Sequence, residues 1–269
     1  MKQDRVLRAP IVAILIIEVA ALFVRAFFET RLIDLGEAKP FAHNLSYLVV
    51  PPMLIVLMYP ILRQHGQFLL SLLRRQDLTL RLFVLSFLLG ITLRMTYWGG
   101  LISLISFGVL RNSDPDAVVG PTFSFGCPDP NVLALSFLVV SFLIPVIEEV
   151  VNRGLILQSL LHRRKVLAVV LSSVLFAIMH APQAMILAFF VGLFLAVQMI
   201  KCKTLWAPLI THATYNAVAL LDWECVGMHW NPAGATHSMI PAGLVASALV
   251  AVGLIFSMYL VVTNERRDA

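Results

Sequence analysis

Eight stretches of this chain carry almost no charge. They cover roughly residues 9–28, 45–62, 80–110, 132–161, 166–181, 184–200, 205–221 and 241–262. A helix needs about 20 mostly apolar residues to cross the hydrocarbon core of a bilayer. Within that core each backbone N–H and C=O has to be satisfied inside the segment, which selects helices. Laid end to end, the eight runs leave only short connections in a chain of 269 residues. Composition agrees, with 59% hydrophobic and 13% charged residues, against about 25% charged in an ordinary soluble domain. A soluble globular enzyme, a disordered chain and a nucleic-acid module are excluded. The expectation is an all-α fold, a polytopic membrane bundle of about eight transmembrane helices forming a single domain over 1–269. The third run exceeds one crossing, and Gly99-Gly100 inside it predicts a break or turn.

The net charge of +5 follows from topology. One alternate set of connections holds Lys2, Arg5, Arg8, Arg63, Arg74, Arg75, Arg81, Arg163, Arg164, Lys165, Lys201, Lys203, Arg266 and Arg267, fourteen of the 20 basic residues. The other set holds Arg31, Lys39 and Arg111. Basic residues collect on the cytoplasmic side, so both termini are expected there, which an even number of spans satisfies. The two longer connections, 112–131 and 222–240, then face outward with Cys127 and Cys225. A bridge between them and two separate thiols are both compatible with the sequence. Three cysteines without zinc spacing define neither a disulfide scaffold nor a metal knuckle.

Ionisable residues within spans are costly and mark functional sites by default. Glu18 and Arg25 lie in the first run, two turns apart on one face, and are expected to pair. Arg94 lies near Tyr97 and Trp98 and is expected to meet a carboxylate or to reach the interface. The densest group is Pro145-Val146-Ile147-Glu148-Glu149-Val150-Val151-Asn152-Arg153-Gly154. Arg153 is one turn after Glu149 and can pair with it. Glu148 points about 100° away, which leaves it unpaired inside the bundle and suited to general acid–base work. A purely structural Glu–Arg cluster is the competing reading. Phe176 and His180 share a face one turn apart, as do His212 and Asn216. The second pair can brace a neighbouring helix or aim donors at a developing oxyanion.

Taken together, Glu-Glu-x-x-x-Arg, Phe-x-x-x-His and His-x-x-x-Asn on consecutive helical stretches resemble the CPBP family. It comprises the CAAX prenyl-endopeptidases and their bacteriocin-processing relatives, intramembrane proteases of glutamic type. The resemblance spans 145–220, with Pro145, Gly154 and Leu205-Trp206-Ala207-Pro208 as flanking matches. Asn152 departs from it, standing where relatives carry an aromatic residue. The resemblance implies that Glu148 activates water, with His180 helping to hold it. It implies that His212 and Asn216 stabilise the oxyanion and that Glu149 and Arg153 brace the site. The expected partners are a membrane-anchored protein or peptide substrate and the lipid bilayer, with no nucleic acid. The expected location is the cell membrane as a multi-pass protein, in a bacterial inner membrane. No cofactor or metal is expected. A zinc site of Glu148, His180 and His212 is the rival reading, a ligand set used by some catalytic zinc enzymes, although no His-Glu-x-x-His is present. A non-proteolytic immunity or scaffold protein of the same fold is the alternative outside enzymology.

Overall fold

The computed structural model describes residues 8–109, 120–162, 164–231 and 240–263. Every apolar run is helical within those residues. The first forms α1, Ile11–Asp34. The second is cut by prolines into α2 (Lys39–Tyr47), α3 (Val50–Leu57) and α4 (Tyr59–Ser71), each with a proline in its first turn. Proline suits that position because its missing N–H would lack a helical partner there anyway. Between Phe41–Leu57 and Tyr59–Ser71 the path bends by 90°, so the expected straight span over 45–62 does not form.

The third run is a single helix, α5 (Leu80–Val109). The break expected at Gly99-Gly100 is absent. Gly99 serves packing instead: a Cβ there would lie 3.0 Å from Val250 Cγ2 and 3.1 Å from the Ala246 carbonyl. Both neighbours belong to α10 (Ile240–Thr263). Small residues let helix backbones approach closely where lipid supplies no hydrophobic drive between helices.

The fourth run is α6 (Pro130–Leu160). It carries two wide π-helical segments, Phe137–Leu143 and Val150–Leu157. The remaining runs form α7 (Lys165–Ile178), α8 (Met185–Cys202) and α9 (Trp206–Cys225). Among the described residues five helices are long and apolar enough to cross a membrane, or six if the bent pair is one span. That is fewer than the eight expected. Proline bends the second run, α7 has only 14 residues, and α9 is diluted by Thr211, His212, Thr214 and Asn216.

The core lies where the second half of α6 meets α1, α4 and α8, through Ile14, Ala21, Leu69, Leu155, Ile156 and Met199. All of Val151–Leu157 is buried. The outward faces of α1 and α10 expose Val12, Ile16, Phe23, Leu249, Val252 and Ile255, an apolar belt of the kind lipid covers. The helices are joined by one feature the sequence left open. Cys127 and Cys225 form a disulfide, and the Gly126 N–H donates to the Cys225 carbonyl at 3.0 Å. From there β1 (Gly120–Phe125) pairs antiparallel with β2 (Val226–Asn231). The bridge therefore ties the start of α6 to the end of α9, closing a loop with a sequence separation of 98.

Removing a native bridge of this kind typically costs about 2–5 kcal/mol. Cys127→Ala, Cys225→Ala and the double variant should lower the unfolding temperature in detergent to the same extent, because each breaks the same bond. Additive losses would show that the two cysteines act separately.

Candidate active site

The site is built where α6, α7, α8 and α9 converge. Glu149 and Arg153 are one turn apart and form an ion pair, Nε to Oε2 at 3.3 Å, with side-chain exposures of 1% and 0%. The expected pairing on that face is present. The other Glu149 oxygen meets His212 of α9, Oε1 to Nδ1 at 2.8 Å. His212 then faces Glu148 with its second nitrogen, Nε2 to Oε2 at 3.6 Å. Glu148 is thus not the isolated carboxylate expected from the helix geometry. It is the more open of the two, with 27% of its side chain exposed against 1% for Glu149. One imidazole spans both carboxylates, a relation between sequence positions 63 and 64 apart that no local spacing discloses.

Aromatic packing fixes the rest. The Arg153 guanidinium lies over the Phe176 ring, 4.3 Å from its centroid. Phe176 also touches His212 edge-on, with centroids 5.7 Å apart, and His180 at 4.6 Å. The first position of Phe-x-x-x-His is therefore the floor on which three charged or polar groups rest. Arg153 Nη2 donates weakly to the Gly192 carbonyl at 3.4 Å. Gly192 has no Cβ because one would stand 3.2 Å from the Phe176 ring and 3.3 Å from Ser173 Cα.

The ring of His180 has a defined tautomer. Its Nδ1 lies 2.9 Å from the Phe176 carbonyl, and a carbonyl can only accept, so Nδ1 carries the hydrogen. In the neutral ring Nε2 is then an acceptor. Among the described residues no hydrogen bond or ion pair joins His180 to Glu148, and no group of three His, Cys, Asp or Glu side chains has the geometry to hold a metal ion.

Asn216 is placed by an irregularity in α6. In the π segment the Ile144 N–H donates to the Val139 carbonyl and so is not free for Val140, its α-helical acceptor. The π-helical donor to Val140 would be Pro145, which has no N–H. Both helical donors to the Val140 carbonyl are thus lost, and Asn216 Nδ2 supplies the replacement at 2.9 Å. One amide hydrogen of Asn216 is used and its orientation is set, and the second hydrogen has no partner among the described residues. π-Bulges are rare and cluster at functional sites. Pro145 was the visible signal in the sequence, but the shifted register it accompanies was not.

Asn152, the departure from the family pattern, is buried and donates from Nδ2 to the Glu148 carbonyl at 2.9 Å. Ser172 of α7 reaches the Asn152 carbonyl at 3.4 Å. The residue thus braces the backbone of the carboxylate pair. Gly154 allows α4 to approach, since a Cβ would stand 2.7 Å from Leu69 Cδ2. Arg94 meets a carboxylate as expected, Nε to Asp222 Oδ2 at 2.7 Å, with Trp98 Nε1 donating to the same oxygen at 2.6 Å. The expected Glu18–Arg25 pair does not form. Arg25 bonds one turn onward to Glu29 at 3.4 Å, where its guanidinium can reach across α1 with less strain than over two turns.

Four helices thus bring together a carboxylate pair, two histidines and an asparagine. Residues 130–218, about a third of the chain, match the family described as Type II CAAX prenyl endopeptidase Rce1-like. This is a protease family, and the match covers the helices that carry all three motifs, bearing out the resemblance drawn from them. The chain matches no curated protein and no solved structure.

Breaking a buried ion pair by removing one partner costs about 3–5 kcal/mol, because the other charge stays buried. Arg153→Met and Glu149→Leu should each destabilise the protein by that order in thermal or denaturant unfolding. The double variant should lose less than the sum. Full additivity would mean the pair is not coupled.

Proposed function

We propose that this protein is a glutamic-type intramembrane endopeptidase that hydrolyses a peptide bond in a membrane-anchored protein or peptide. The observation that carries the reading is the bridging of His212 between two carboxylates beside an asparagine amide with one hydrogen to spare. With both nitrogens of His212 protonated, Glu148, Glu149, His212 and Arg153 sum to zero charge. That balance is what a low-dielectric site requires. The imidazolium can then donate from Nε2 while Nδ1 stays bonded to Glu149.

In the first step Glu148 removes a proton from water as the water oxygen attacks the scissile carbonyl carbon, while the hydrogen that stays on that oxygen donates a hydrogen bond to Nε2 of His180. The C=O electron pair moves to oxygen. The oxyanion meets His212 Nε2 and the second N–H of Asn216, donors held before the reaction begins. Glu148 then returns its proton to the leaving amine, the C–N bond breaks and the carbonyl re-forms. No metal enters these steps. The catalytic core is 145–220 within a single domain. The arginine and lysine distribution supports cytoplasmic termini. The Cys127–Cys225 bridge supports an oxidising outer face such as that of a bacterial inner membrane.

The test uses purified full-length protein and peptides ending in a prenylated Cys-a-a-X, the substrate class in the family's name. Glu148→Gln should lose cleavage while keeping its unfolding temperature, and a chelator should have no effect. If Glu148→Gln leaves both cleavage and cellular function intact, the proteolytic reading falls and the immunity or scaffold reading replaces it. Chelator sensitivity would move the chemistry to a metal.

Loss of one oxyanion donor typically costs 10²–10³ in rate, so Asn216→Ala should reduce kcat by that order with KM little changed. Pro145→Ala restores an N–H that can compete for the Val140 carbonyl. It should reduce kcat by a smaller factor, roughly tenfold, and the pairing of Pro145→Ala with Asn216→Ala should cost no more than Asn216→Ala alone.

A further inference from the structure

α9 runs from Trp206 to Cys225, so Trp206 and its neighbours lie at the end of the bundle opposite the Cys127–Cys225 bridge. Two connections are locked together there. The Leu72 carbonyl, just past α4, accepts from the Leu205 N–H at 2.9 Å and from Thr204 Oγ1 at 2.8 Å. The Arg74 carbonyl accepts from Trp206 Nε1 at 3.2 Å. These bonds hold the α4–α5 connection against the α8–α9 connection. Arg74, Arg75 and Lys203 are thereby each placed within three residues of the Leu72–Leu205 bond.

Residues 72–79 and 201–206 carry the cations Arg74, Arg75, Lys201 and Lys203 and a single acid, Asp77, which is buried. Arg74, Arg75 and Lys203 are exposed. Like charges fixed in one place by backbone bonds create a positive field that draws anions. Lys203 adds a second sign. It ends α8 in the left-handed conformation, φ 55°, where glycine is the usual residue because a Cβ makes that backbone costly. The chain keeps a cation there at a conformational cost. Next to the cations, Trp206 and Ile210 stand one turn apart on α9, half-buried and packed with Leu82 and Ala207. They form an apolar strip that leads from the arginines along the helix.

We propose that this junction binds an anionic phospholipid, with its phosphate on Arg74 and Arg75 and its chains along Trp206 and Ile210. A guanidinium fork matches the oxygens of a phosphate, and such charge-assisted bonds are the strong ones. Tryptophan is favoured where headgroups meet chains, and basic clusters at a membrane surface select anionic lipids. Arg164 and Lys165 are exposed where α7 begins, at the same end of the bundle. They carry equal charge on a different connection and therefore separate a site from a diffuse field.

The experiment uses the full-length protein, stripped of lipid in a neutral detergent. The probes are phosphatidylglycerol and phosphatidylcholine with identical chains, and binding is read by native mass spectrometry and by thermal shift. Wild type should bind phosphatidylglycerol at least about tenfold more tightly than phosphatidylcholine. Arg74→Gln with Arg75→Gln should bind both lipids as weakly as wild type binds phosphatidylcholine, with its lipid-free unfolding temperature unchanged. Arg74→Lys with Arg75→Lys should keep part of the preference. Lys203→Gly suits the left-handed backbone, so its fold is secure, and it should lower the preference severalfold. Arg164→Gln with Lys165→Gln should leave the preference intact. Glycerol 1-phosphate, a headgroup without chains, should not compete at the concentration of the lipid. Equal binding of the two lipids by wild type overturns the proposal. Equal losses in the two glutamine pairs overturn it as well, because the attraction is then diffuse charge. Full competition by glycerol 1-phosphate also overturns it, because the chains then contribute nothing.

Discussion

Charge cannot stand alone in this environment, and the arrangement of the site follows from that. Glu149 and Arg153 are buried almost completely. Neither would be stable there without the other, and the pair on its own would still leave one carboxylate oxygen unsatisfied. His212 supplies that partner from a helix 63 residues away in the chain. Two helices are thereby fixed in rotation and height, and the second nitrogen of the imidazole is aimed at Glu148. The chemistry proposed for Glu148 thus depends on a structural bond made by its neighbour. The same economy governs Phe176, one ring that carries a guanidinium, two imidazoles and the close approach of Gly192.

Backbone irregularity does comparable work. A straight α-helix offers no free carbonyl in its interior. α6 offers one at Val140 because the register widens and because Pro145 has nothing to donate. An asparagine from α9 occupies it. The prolines of α2, α3 and α4 use the same deficiency differently, by starting short helices and turning the chain. In each case a missing N–H decides a direction.

Much of this was legible in the sequence. The eight apolar runs gave every long helix, because hydrophobic length is a direct physical requirement of the bilayer. The i, i+4 spacings gave the Glu149–Arg153 pair and the shared face of Phe176 and His180. What was hidden is informative. Gly99-Gly100 suggested a break from local conformational freedom, whereas a neighbouring helix needed the space of the missing Cβ. Glu18 and Arg25 suggested a pair from face alone, whereas Glu29, one turn from Arg25, was closer. The bridging role of His212 and the release of the Val140 carbonyl are tertiary facts, set by how helices dock, and spacing along one helix carries no trace of them.

The covalent link between Cys127 and Cys225 has a mechanical consequence. It joins the beginning of the helix that bears both glutamates to the end of the helix that bears His212 and Asn216. Two rods pinned at one end behave like tongs: they can spread at the free end but cannot slide past each other. Any breathing that widens the space between these helices is therefore a rotation about the pin. The relative height of acid, imidazole and amide along the membrane normal is held through it.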